Sequence, residues 1–135
     1  RLPDHYWERR VKVAELQGAL LDYWVVRAQG DEPAYIWQNG ARCASRNGIP
    51  VRYSSDWAQG GPLIESGLIT LLYLPIDERG KLGTWEASFS DETGFEATNP
   101  LVAAMRAYVA SAFGPEVPDE TPAFSASAKR GIGKR

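Results

Sequence analysis

The segment Leu68-Ile69-Thr70-Leu71-Leu72-Tyr73-Leu74 is the most hydrophobic stretch of the chain. It lies between Gly67 and Pro75, and an apolar run of this length between a glycine and a proline is typical of a strand. Turn-forming residues follow at positions 77–80, and residues 84–89 then place an apolar side chain at every second position. We therefore predict a β-hairpin, with residues 68–74 as the central strand of a small, mostly antiparallel sheet.

Two further segments have the period of an amphipathic helix. Residues 17–29 place apolar side chains on one face, and Gly30 follows as a stop. Asn99 and Pro100 are typical of an N-cap and a first helical residue, and the helix that they begin is predicted to end at Gly114. Since each helix has one apolar stripe, we expect both to pack on one face of the sheet, which gives an α+β fold.

The length and composition of the chain fit a single domain. We assign residues 11–117 to this domain, residues 1–10 to an irregular lead-in and residues 118–135, which contain few apolar side chains, to a flexible C-terminal tail. The net charge of −2 does not favour nucleic acid or an anionic membrane as a general partner. No apolar run reaches the ~18 residues of a membrane span, and no secretory signal is recognised, so we expect a cytoplasmic protein.

Residues 53–65 combine turn-forming residues with Trp57. Ser54 or Ser55 is predicted to cap one helical turn, and Gly60-Gly61 is predicted to reverse the chain. Pro62 then begins a second short turn. Asp56 is expected to accept backbone N–H groups within its own turn.

A basic cluster supplies the main candidate for ligand binding. Arg42, Arg46 and Arg52 are close in sequence to several aromatic residues, and arginine beside aromatic faces suits a nucleotide or single-stranded nucleic acid. The aromatic residues are Tyr35, Trp37 and Tyr53, with Asp56 and Trp57 of the next loop as additional site residues. A solvated basic loop is the alternative interpretation.

Catalytic and metal-binding motifs are not recognised. The single cysteine, Cys43, has no histidine or cysteine partner at the spacing of a zinc site, and the single histidine, His5, lies in the lead-in. We therefore expect no metal, no cofactor and no catalytic residues. Asp22, Asp56 and Glu65 are the carboxylate candidates, and a hydrolase that pairs Asp56 with Glu65 is a third hypothesis.

Three blocks of the sequence carry a family resemblance, VAELQGALLDYW at residues 13–24, YSSDWAQGGPLIE at residues 53–65 and NPLVAAMRAYVAS at residues 99–111. Together they resemble the NinX-like proteins of lambdoid phages. The resemblance implies a phage or prophage protein that acts inside a bacterial host. The family has no assigned activity or catalytic residues, so the resemblance transfers none to this chain.

These observations lead to two main hypotheses. The first is a non-enzymatic accessory protein that binds a host or phage macromolecule through a shallow surface around Trp57. The second is a binder of a small anionic ligand or nucleotide that uses the three arginines and predicts a concave, positively charged pocket. The oligomeric state does not follow from the sequence.

Overall fold

The computed structural model describes residues 9–77, 80, 83–90 and 94–121. Within these residues the chain forms eight strands and three α-helices. The strands are β1 (Arg10–Lys12), β2 (Pro33–Gln38), β3 (Ala41–Arg46), β4 (Ile49–Val51), β5 (Ile69–Leu74), β6 (Thr84–Phe89), β7 (Phe95–Ala97) and β8 (Glu116–Pro118). The helices are α1 (Gly18–Ala28), α2 (Trp57–Ser66) and α3 (Pro100–Phe113). The α+β class is confirmed, whereas the predicted lead-in up to residue 8 and the tail from residue 122 lie outside the described residues.

The predicted hairpin is present, but its hydrophobic strand is not central. β5 and β6 are antiparallel with Ile69 opposite Phe89 and Leu74 opposite Thr84, and β7 pairs with the other side of β6. The order β5-β6-β7 places β6 in the middle and β5 at an edge. The sequence pattern indicated a strand, but hydrophobicity alone does not distinguish an edge strand from a central one.

The second sheet is a meander of β2, β3 and β4 with two tight turns. Asn39-Gly40 joins β2 to β3, and Asn47-Gly48 joins β3 to β4. All four residues have positive φ, between 53° and 81°. Asparagine and glycine tolerate this left-handed conformation best, which is why both turns were predictable. β3 was not predicted, and it places Arg42 and Arg46 on a strand instead of in a loop.

A third, two-stranded sheet joins the two ends of the described chain. β1 is antiparallel to β8, with Val11 opposite Val117. Residues beyond β8 are also held, because the hydroxyl of Tyr35 donates to the backbone oxygen of Glu120 at 2.8 Å. The described first residues of the predicted tail are therefore packed against the domain.

The core lies between the helices and the two larger sheets. α3 covers one face of the β5-β6-β7 sheet, while α1 packs between α3 and the β2-β3 strands. The two helices therefore cover different sheets and do not share one face as predicted. Fully buried side chains include Leu21 and Val25 of α1 and Met105 and Val109 of α3.

The region around Trp57 forms one helix instead of two short turns. Asp56 is the N-cap, and its Oδ1 accepts the N–H of Ala58 at 3.0 Å, so the serine caps predicted at this end are wrong. Gly60 and Gly61 lie inside α2 and do not reverse the chain. A Cβ atom added to Gly60 would lie 2.3 Å from the backbone oxygen of Tyr53 and 2.7 Å from Cδ1 of Leu101. The glycine therefore allows α2 to approach α3 closely, a tertiary requirement that local turn propensity does not reveal.

Candidate functional site

A cavity of about 610 Å³ opens where the starts of two helices meet the second sheet. Its walls are the first turn of α1, the first residues of β3, the segment that follows β4 and the N-terminus of α3. Two of the three arginines predicted for ligand binding, Arg42 and Arg52, line this cavity. The volume lies within the range of ordinary ligand pockets.

Asp22 contributes a buried carboxyl group to the cavity wall. Its Oδ1 accepts the backbone N–H of Ser54 at 2.9 Å. Burial raises the pKa of Asp22 from 3.8 to about 6, because desolvation outweighs the opposing effects of Ser54 and of the positive charge on Arg52. The cavity therefore contains an acid that titrates near neutral pH.

Arg52 is fixed at both its backbone and its side chain. Its N–H donates to Oε1 of Gln59 at 2.8 Å, and its Nη1 lies 3.3 Å from Sγ of Cys43. These contacts hold Arg52 between β3 and α2. Arg52 lies in the wall of the cavity beside Cys43.

Arg42 connects the cavity with an exposed aromatic ring. It lies opposite Trp37 in the register of β2 and β3, and its guanidinium carbon is 5.7 Å from the centroid of the indole. Trp37 is 68% exposed. A large aromatic side chain in water beside a cavity arginine offers a stacking surface for a planar ligand.

The first turn of α1 adds backbone donors to the same wall. Gln17 is the N-cap and makes no side-chain capping bond, and Gly18 adopts a φ of 61°. Gln17, Gly18 and Ala19 all line the cavity. Because the N-terminus of a helix has a partial positive charge, this wall reinforces the charge of the two arginines.

The third predicted arginine lies elsewhere. Arg46 and Tyr53 line a smaller cavity of about 370 Å³. Nε of Arg46 is 3.2 Å from Oδ2 of Asp31, and its Nη1 is 3.3 Å from the hydroxyl of Tyr53. Arg42 and Arg46 are four positions apart on β3, a distance of about 13 Å along the strand, so the cluster seen in the sequence divides into two sites.

Asp56 and Trp57, also predicted for the site, line neither of these cavities. Asp56 is committed to capping α2, as expected for a loop aspartate, and Trp57 is 53% exposed on the first residue of that helix. Glu65 lies near the other end of α2. Because a helix rises about 1.5 Å per residue, Asp56 and Glu65 lie about 13 Å apart along the axis of α2. Catalytic carboxylates lie ~5–9.5 Å apart, so the geometry does not favour the hydrolase hypothesis.

Sequence reasoning did not place Asp22, Ser54 or Ser55 in the binding site. A signal for Asp22 was present, since it lies within the run of residues 21–26, all of which are buried. A carboxylate within an otherwise apolar stripe indicates a buried acid that needs a partner. The identity of that partner, Ser54, depends on tertiary structure.

No helix among the described residues is long and apolar enough to cross a bilayer. Within the same part of the chain, no group of three or more histidine, cysteine, aspartate or glutamate side chains is arranged to hold a metal ion.

Comparison with known proteins identifies the family. A family model described as bacteriophage P22 NinX matches residues 12–112, which are 101 of the 135 residues. The chain therefore belongs to the NinX family of phage proteins, as the three sequence blocks indicated. No curated protein matches the chain.

Proposed function

We propose that this NinX-family protein is a non-enzymatic binding protein for a small anionic ligand of the nucleotide class. The observation that carries the proposal is the convergence of Arg42, Arg52 and the first turn of α1 on one concave cavity. We place this activity in the cytoplasm of a bacterial host, where a phage protein meets nucleotides.

The charges of the cavity favour an anion with more than one oxygen acceptor. A guanidinium offers a planar fork of donors that matches phosphate or carboxylate, and two of them give a stronger and more specific clamp than one. The backbone N–H groups at the start of α1 add donors without adding a full charge. Asp22 opposes an anion when it is ionised, so binding is coupled to its protonation.

The aromatic ring beside Arg42 favours a nucleotide over a simple inorganic anion. Trp37 exposes most of its surface, and its ring lies within reach of a ligand whose phosphate contacts Arg42. Stacking of a base on an aromatic side chain contributes ~1–3 kcal/mol. A nucleotide could place its phosphate on the two cavity arginines and stack its base on the exposed ring of Trp37 at the same time.

A thermal-shift experiment tests this function. The wild-type protein is heated with inorganic phosphate, with nucleoside mono-, di- and triphosphates and with short single-stranded oligonucleotides, since a ligand that binds the folded state raises the melting temperature. We expect a nucleotide to raise it, and we expect Arg42→Gln to abolish that shift.

Arg46→Gln is the matched control, because Arg46 carries the same charge and lies in the other cavity. It is expected to retain the ligand-induced shift. The proposal fails if no member of the panel raises the melting temperature, or if Arg46→Gln loses the shift as fully as Arg42→Gln.

One observation favours a second candidate function, a surface for a host or phage macromolecule. Trp57 is 53% exposed at the start of α2, and exposed tryptophans are frequent anchors of protein interfaces. A pull-down from host lysate with wild-type protein and with Trp57→Ser tests it. A specific partner must be lost with Trp57→Ser and retained with Ile49→Ser, which removes an even more exposed apolar side chain from β4.

A further inference from the structure

The edge strand β5 is uncharged and, apart from Thr70, built of apolar and aromatic residues. Among the described residues it pairs only with β6, so its other side presents unpaired backbone groups. Its sequence, ITLLYL, contains no charged residue, no glycine and no proline. Such an edge is a template for pairing with another strand.

Three other edge strands of this protein have features that oppose such pairing. The six-residue β2 begins with Pro33. β4 has three residues and includes Pro50, and β7 has three residues and includes Glu96. Short length, proline and charge are the features that natural proteins use to prevent edge pairing. β5 has six residues and none of these features.

The apolar side chains around β5 are exposed to an unusual degree. Leu68 is 81% exposed, and Leu72, Tyr73 and Ile76 are each about half exposed or more. Leu68 also has a φ of 54°, a left-handed conformation that is unfavourable for a bulky residue. Burial of the Leu68 side chain against a partner would be favourable, since it removes apolar area from water.

Leu68 and Ile76 lie four positions on either side of Leu72, and symmetry of this kind is what an interface between two identical chains requires. Residues directly opposite each other in an antiparallel pair point to the same face. If Leu72 lies opposite Leu72 of a second copy, then Leu71 lies opposite Tyr73, and Leu68 approaches Ile76. Each exposed apolar side chain thereby meets an apolar partner.

We propose that β5 pairs antiparallel with β5 of a second copy, about a twofold axis at Leu72. The result is a six-stranded sheet in the order β7-β6-β5-β5-β6-β7. This surface is distinct from the anion-binding cavity, which is formed by other elements.

The charges near the edge are compatible with this pairing. The acidic residue closest in register is Glu86, which lies opposite Leu72 on β6. Three strand spacings separate Glu86 of one copy from Glu86 of the other, about 14 Å. This separation exceeds the Debye length of ~8 Å at physiological salt, so the two carboxylates repel each other weakly.

Sedimentation equilibrium over a range of concentrations tests the proposal with the full chain. The wild-type protein should show a concentration-dependent monomer–dimer equilibrium. Leu72→Lys would place two like charges directly opposite each other, and it should raise the dimer dissociation constant at least about tenfold. The monomer should tolerate this change, since the lysine would lie opposite Glu86.

Ile49→Lys is the matched control, because it makes the same change at an exposed isoleucine on a different sheet edge. It should leave the dimer intact. A wild-type protein that remains monomeric at every concentration would overturn the proposal. So would a dimer that Leu72→Lys leaves unchanged.

A cross-link locates the twofold axis. Opposite Cβ atoms in such a pair lie about 4.5–5.5 Å apart, close to the distance that a disulfide spans. Leu72→Cys should therefore give a covalent dimer under mild oxidation, whereas Ile49→Cys should not. A Leu72→Cys protein that forms no more covalent dimer than Ile49→Cys would contradict the proposed register.

Discussion

Oδ1 of Asp22 accepts the backbone N–H of Ser54 at 2.9 Å, and this bond joins α1 to the segment that leads into α2. The two residues are 32 positions apart in the chain. The bond fixes one wall of the cavity, but it also keeps a carboxyl group out of water. A buried acid of this kind changes the pH dependence of folding stability by a measurable amount.

The stability of the protein is expected to fall as the pH rises from about 4 to about 6. The folded state retains the proton of Asp22 up to a pKa of about 6, whereas the unfolded state releases it near 3.8. Between these values the folded state binds more protons, so raising the pH favours unfolding. Above pH 6 the buried Asp22 carboxylate lowers the free energy of unfolding by a constant amount, at most about 3 kcal/mol.

Asp22→Asn isolates this contribution from the other carboxylates, because the asparagine keeps an acceptor for the Ser54 N–H and carries no charge. Urea unfolding of the wild type and of Asp22→Asn between pH 4 and pH 8 measures the contribution of Asp22 to the free energy of unfolding. The variant should become more stable than the wild type as the pH rises above 4. A difference between the two proteins that does not change with pH would contradict the assigned pKa.

Anion binding should strengthen as the pH falls through 6. Protonation of Asp22 removes the one negative charge that the described residues of the cavity wall place beside the two arginines. Sulfate is the suitable probe, because it remains a dianion throughout this range. Its dissociation constant should be lower at pH 5 than at pH 7.5, and Asp22→Asn should bind sulfate equally at both values.

Trp37 should matter for a nucleotide and not for a simple anion. Trp37→Ala removes the stacking surface but leaves both cavity arginines in place, so nucleotide affinity should fall by about 5- to 150-fold, the equivalent of one stacking interaction. Sulfate affinity should not change. Equal losses for both ligands would show that Trp37 acts by positioning Arg42 instead of by contacting a base.

Two neighbouring glycines of α2 should respond to alanine with opposite signs. At Gly60 the new Cβ would lie 2.3 Å from the backbone oxygen of Tyr53, so Gly60→Ala should destabilise the protein by about 1–3 kcal/mol. At Gly61 the nearest atom is Cε3 of Trp57 at 3.9 Å, which is an ordinary contact. Gly61→Ala should therefore stabilise the helix by about 0.5–1 kcal/mol. Chemical unfolding measures both, and destabilisation of similar size at both positions would contradict the packing of α2 on α3.

Features set by local chemistry were predictable from the sequence. The start of α3 is one example, because Oδ1 of Asn99 accepts the N–H of Leu101 at 2.8 Å, as its capping role requires. The Asn-Gly turn at residues 39–40 is another, since positive φ is a local property. The apolar pattern likewise identified the hairpin of β5 and β6.

Features set by tertiary contacts were not predictable in the same way. Val11 of β1 pairs with Val117 of β8, and the sequence of neither three-residue strand indicates which strand it pairs with. The glycine at position 60 was interpreted as a chain reversal, because its real role depends on Leu101 of another helix. The same limit applied to the site, where sequence proximity grouped Arg46 with Arg42 although the strand between them separates the two side chains.

Isothermal titration calorimetry with Arg52→Gln tests whether this cavity binds the phosphate of a nucleotide. The titrant is the nucleotide that most raises the melting temperature of the wild-type protein, and Arg46→Gln is titrated in parallel. Loss of a charge-assisted bond to phosphate should weaken binding by Arg52→Gln at least about tenfold, while Arg46→Gln should match the wild type. Unchanged affinity in Arg52→Gln, or an equal loss in Arg46→Gln, would contradict the assignment of the anion site to this cavity.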